Sequence, residues 1–180
     1  MRPGTGVQEE AIDVLGGLEV RESMPALAAL LQHPEGRVRV KAASWLCHFG
    51  SKEGVPVLLK EAQGLIFLNA LRRPETWRKL RAGPPVEEVV GTGKDMLDRT
   101  ARKAGLALEW SPESLGGPRR WIVGSRSPGD PEDRSTMLQV LVNYTHSNYE
   151  SVLEPDRISV LSSREALAFW TKWWGEGNGK

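Results

Sequence analysis

Residues 10–27, EAIDVLGGLEVRESMPAL, and residues 41–58, KAASWLCHFGSKEGVPVL, align without a gap at an offset of 31. Val7 falls on Val38, Ala11 on Ala42, Leu15 on Leu46, Leu18 on Phe49, Glu22 on Glu53 and Pro25 on Pro56. Apolar residues spaced i, i+4, i+8 and i+11 line one face of an α-helix. Each proline sits in the first turn of a following helix, where its missing N–H costs little. Each unit therefore reads as helix, short turn, helix. The pattern predicts helices near 7–18, 23–32, 37–49 and 54–63.

The stretch PEGRVRVKAASWLCHFGSKEGVPVLLKEA (34–62) resembles the HEAT repeat family in its short form. Val38, Arg39, Ala42, Ala43 and Leu46 carry the likeness. What it implies is a scaffold or binding surface, with no catalysis. A solenoid normally needs about three units to bury a continuous core. A pair of units must lean on the rest of the chain, on a partner, or on sequence upstream.

The bulk numbers fit a globular protein. The chain has 180 residues, 39% hydrophobic and 26% charged, with a formal net charge of +1. It can bury a core, and the small net charge gives no global pull toward nucleic acid or acidic membranes. One cysteine, Cys47, excludes an internal disulfide framework, so no disulfide partner is expected. No stretch approaches the roughly 18 apolar residues that span a bilayer, so no membrane insertion is expected. The start, MRPGTGVQEEAIDVLGGL, lacks a signal-peptide pattern. A cytoplasmic protein is the expectation as written, and a periplasmic one if the true N-terminus lies upstream.

The segment NALRRPETWRKLRAGPP (69–85) is locally basic. Arg72, Arg73, Arg78, Lys79 and Arg81 surround Trp77. One reading is phosphate contact with bases stacked on Trp77. The other is a linker helix whose tryptophan packs inward while its charges face water. AGPP then marks a domain boundary near 82–85.

After the boundary the period changes. VEEVV (86–90) reads as a strand and GTGKDMLDRTARKAG (91–105) as a helix, with Thr92 its cap and Gly105 past its end. LALEW and RRWIVGSR are strands, GDPED is a polar loop, and STMLQVLVNYTHS is a second helix capped by Ser135. YESVLEP, a turn at Pro155–Asp156–Arg157, and ISVLS form a hairpin. The order is β-α-β-β-α-β-β, an α+β layer.

DMLDRTARKAGLALEW followed by TMLQVLVNYTHSNYESVLEPDRISVLS resembles the short N-terminal domain of secretins and TonB-dependent receptors. Ala104–Gly105–Leu106, Leu138, Leu141, Ile158 and Val160 fall on that family's apolar pattern. The resemblance implies a non-enzymatic docking module. The family's usual periplasmic placement, and its roles in secretion or iron uptake, do not carry over, because the signal peptide and pore are lacking.

Candidate catalytic motifs all read better as structure. GTGKD is not a phosphate-binding loop, because the position that needs glycine is Glu88 and Lys94 is followed by Asp95. Cys47 and His48 are adjacent on a helix and point about 100° apart. His33 and His146 have no second ligand at helical spacing. Asp130, Glu132 and Asp133 lack the pattern of a calcium loop. Asn143 is a glycosylation sequon by pattern only. No cofactor, metal or catalytic residue is expected, and the chain is read as a non-enzyme.

The last helix begins at SSREALAFWTKWW. Ser162 and Glu165 form a capping box. Ala166, Leu167, Phe169, Trp170, Trp173 and Trp174 fall within an arc of about 160°. Phe169, Trp170, Trp173 and Trp174 are thus candidates for packing between two modules.

The expected architecture is α + β in two parts. Antiparallel HEAT-like helices occupy 1–63, a basic linker helix 64–84, the α+β domain 85–162, and a Trp-rich helix and tail 163–180. The expected function is protein interaction or scaffolding by surface docking. The expected partner is another protein and not nucleic acid. The alternatives are nucleic-acid or phosphate binding through 72–81, and an enzyme with an unrecognised site.

Overall fold

The computed structural model describes residues 5–82, 93–103, 105–112 and 149–178. Within them the chain is mixed α/β and mostly helical, with eight α-helices and one three-stranded sheet among the described residues. The contacts divide it into two compact units, Met1–Arg72 with Leu167–Lys180, and Arg73–Ala166. The strand expected at 86–90, the Thr92 cap, the strand RRWIVGSR, the loop GDPED, the helix STMLQVLVNYTHS and Asn143 lie outside the described residues. Side chains of Met96, Leu97 and Thr100 are likewise not described.

The first unit opens with α1 (Thr5–Gly17), a 3-10 turn (Arg21–Ser23) and α2 (Met24–Leu30). It continues with α3 (Gly36–His48), a 3-10 turn (Lys52–Gly54) and α4 (Val55–Glu61). Adding 31 to the bounds of each element in the first set gives the bounds of the matching element in the second. The repetition extends to the helix ends. After α1, Val20 N–H donates to Leu15 C=O (3.1 Å) and Glu19 N–H to Gly16 C=O (3.0 Å). After α3, Ser51 N–H donates to Leu46 C=O (2.9 Å) and Gly50 N–H to Cys47 C=O (3.0 Å). These are the paired bonds that close a helix through one left-handed residue. That residue is Glu19 (φ 54°) in the first case and Gly50 (φ 94°) in the second.

The second pair forms the centre of the unit. Val38, Ala42, Ala43, Leu46 and Cys47 are all buried to within 1%. Arg39 ties the loop before α3 to the end of α4. Its Nη1 donates to the carbonyls of His33 and Pro34 (2.8 Å each), and its Nε donates to Glu61 Oε1 (3.1 Å). A 3-10 turn (Leu65–Leu68) and the short α5 (Asn69–Arg72) follow, burying Leu65, Ile66 and Leu68.

The second unit holds α6 (Pro74–Arg81), α7 (Gly93–Lys103) and the strands β1 (Ala107–Trp110), β2 (Tyr149–Leu153) and β3 (Arg157–Ser162). Gly105 (φ 73°) closes α7 through bonds from its own N–H to Arg102 and from Leu106 N–H to Ala101. The sheet order is β1-β3-β2. β1 pairs parallel to β3, with Leu108 opposite Ile158 and Trp110 opposite Val160. β2 pairs antiparallel to β3, with Leu153 opposite Ile158 and Ser151 opposite Val160. Alternation along β3 turns Ile158 and Val160 into the core, where both are fully buried. The β2–β3 hairpin closes by Glu154 N–H donating to Arg157 C=O at 2.8 Å.

The last helix, α8 (Ser163–Trp173), starts in the second unit and ends in the first. Its capping box forms. Glu165 N–H donates to Ser162 Oγ (3.3 Å), and Ser162 N–H donates back to Glu165 Oε2 (2.8 Å). Ser111, just past β1, donates its hydroxyl to the same Oε2 at 2.6 Å.

Candidate functional site

Between the two helical pairs, three side chains of the second pair face the first. Lys41 pairs with Asp13, and Trp45 donates its indole N–H to Asp13 Oδ1 at 3.2 Å. The ring of Trp45 covers Gly16 closely enough that a Cβ there would reach Cε3 at 2.5 Å. Phe49 lies under the Arg21 guanidinium, 6.0 Å from its ring centre. An offset of 31 maps Lys41, Trp45 and Phe49 back onto Glu10 and Val14 of α1 and Leu18 just past its end. There the same face is open. Val7 is 60% exposed, Val14 53% and Leu18 71%, the large hydrophobic residues most open to solvent among those described.

The sequence pattern groups Val7, Ala11, Leu15 and Leu18 with their partners on α3 as one inward face. The structure separates the two sets. Val38, Ala42, Leu46 and Phe49 are buried, whereas Val7, Ala11 and Leu18 are exposed and Leu15 is half-buried. α1 turns Ile12 and Gly16 inward instead. An apolar period identifies a face that gains from cover, not whether cover is present. Val14, which the offset sets against Trp45, is absent from the matched pairs that define the inward face and was the residue that this pattern missed. Its only signal was the stretch Val7–Ala11–Val14–Leu18 read alone.

The basic segment is dispersed. Arg72 closes α5 and Arg73 precedes α6. The guanidinium of Arg72 stands 5.0 Å from the centre of the Phe169 ring, within cation–π range. This brings together one residue from the basic segment and one from the Trp-rich helix, inside the first unit. Arg73 pairs with Glu154 at 3.7 Å. Arg78 and Lys79 are exposed and Arg81 is half-buried. Trp77 is only 3% exposed and packs inward with Leu80, so its ring offers no face to a base.

Along α8, Trp170 is fully buried. Phe169 and Trp173 stand edge-on to it at 5.1 and 5.4 Å, both at 88°. Trp173 and Trp174 are half-buried. Among the described residues the indole N–H of Trp170 has no hydrogen-bond partner.

Cys47 and His48 do not form a nucleophile pair. Cys47 is completely buried, and burial pushes its thiol up to about 12. His48 sits edge-on to Trp45 at 5.1 Å. His33 Nδ1 accepts a hydrogen bond from Glu35 N–H at 3.2 Å, which orders the turn before α3. Among the described residues no three His, Cys, Asp or Glu side chains stand close enough to hold a metal ion. His146, Asp130, Glu132 and Asp133 lie outside them. No described helix is long and apolar enough to cross a membrane, and Cys47 is a free thiol.

Comparison with protein-family models, with curated proteins and with solved structures finds no match.

Proposed function

We propose that the chain is a non-enzymatic protein-interaction or scaffold module that acts by surface docking. Its first part is a HEAT-like helical pair, and its second is a domain similar to the secretin and TonB short N-terminal domain. The observation that supports this reading is the open apolar row along α1 and its C-terminal end, with Val7, Val14 and Leu18 each more than half exposed. A row of that kind along one helix loses free energy in water and regains it when another surface covers it. The 31-residue repetition adds support, because the matching face of the second pair already serves as a contact between helices. The β2–β3 hairpin, with Ile158 and Val160 buried, is compatible with the second likeness.

The test is cross-linked affinity capture from source cells, using the full chain beside a Val14→Lys/Leu18→Glu variant. The expected result is a protein enriched by the first and lost with the second. Captured proteins identical for both baits, or co-purifying nucleotide alone, would overturn the reading.

A further inference from the structure

We draw no further inference here: the strongest candidate, the apolar surface row of Val7, Val14 and Leu18 along α1 and its C-terminal end, carries none, because nothing in the structure shows what covers it.

Discussion

The indole of Trp45 lies flat against Gly16, one helix pair closing on the other at the one position of α1 where a side chain would block it. A second glycine performs the same service within the second pair. A Cβ at Gly54 would meet the backbone of Ala43, with its C and Cα both at 2.9 Å. The two contacts differ in what can move. Trp45 is a half-buried side chain held by Asp13, whereas the Ala43 backbone belongs to a buried helix.

That difference sets an order of stabilities. Gly→Ala inside an exposed helix normally gains up to about 1 kcal/mol. At Gly16 the clash should reverse the sign, with a loss of about 1–3 kcal/mol as Trp45 shifts away and gives up Asp13. Gly54→Ala should cost more, because backbone must separate from backbone. Gly17→Ala, where a Cβ meets nothing within 4 Å, is the control and should be neutral or stabilising. Urea denaturation of the three variants checks the order.

Glu19 and Gly50 occupy equivalent helix ends, yet only one is glycine. A side chain in the left-handed region costs about 1–2 kcal/mol relative to glycine. Glu19 adopts that region at φ 54°, so Glu19→Gly should stabilise the chain by about 1 kcal/mol. Gly50→Ala, at φ 94°, should destabilise it by at least as much. Opposite shifts in thermal midpoint are the expected outcome, and shifts of the same sign would contradict the equivalence.

Much of this was legible in the sequence, for a physical reason. The offset of 31 carries helix period, proline placement and helix ends together, and each is a local property of the chain. The Ser162–Glu165 cap and the β2–β3 hairpin are local in the same sense. The rest depends on what lies across space. Whether Val14 and Leu18 are covered, that Trp45 needs Gly16, and that Arg72 finds Phe169 are long-range facts that a period does not encode. Trp77 lies on the legible side: the linker-helix reading has its tryptophan pack inward while its charges face water, and Trp77 and Leu80 are buried with Arg78 and Lys79 exposed.

Among the described residues Trp170 is the largest fully buried side chain, and none of them partners its N–H. Trp170→Ala removes all of its packing and should cost about 3–5 kcal/mol. Trp170→Phe loses volume but no hydrogen bond, and it also removes a desolvated donor. It should therefore cost much less than alanine. Equal losses for the two variants, measured in urea, would contradict this, because the phenyl ring would then recover none of the packing.

Cys47 should be inert to thiol reagents at neutral pH, because the neutral thiol is the form that burial favours. Reaction with a disulfide reagent should appear only on unfolding in denaturant. The raised value also sets an alkaline limit. With the folded value above the ordinary 9.0, this contribution to stability is complete below pH 9.0 and is lost as pH rises toward about 12. Cys47→Ala should flatten that alkaline decline.

Glu165 sets the opposite limit. Burial alone would raise its pKa. Hydrogen bonds from the Ser111 hydroxyl and from the Ser162 amide and hydroxyl, with Arg164 nearby, outweigh burial and hold it below the ordinary 4.5. Its contribution is therefore present above pH 4.5 and lost as pH falls through the lowered folded value. Glu165→Gln removes the charge that these donors favour, so the variant should be less stable at pH 7 and the gap should close in acid. Ser111→Ala keeps the capping box but removes the link from β1, so its carboxyl should titrate closer to 4.5. Carboxyl NMR titration of both proteins separates the two effects. A Glu165 that titrates identically with and without Ser111 would mean that the bond from β1 contributes nothing to the helix start.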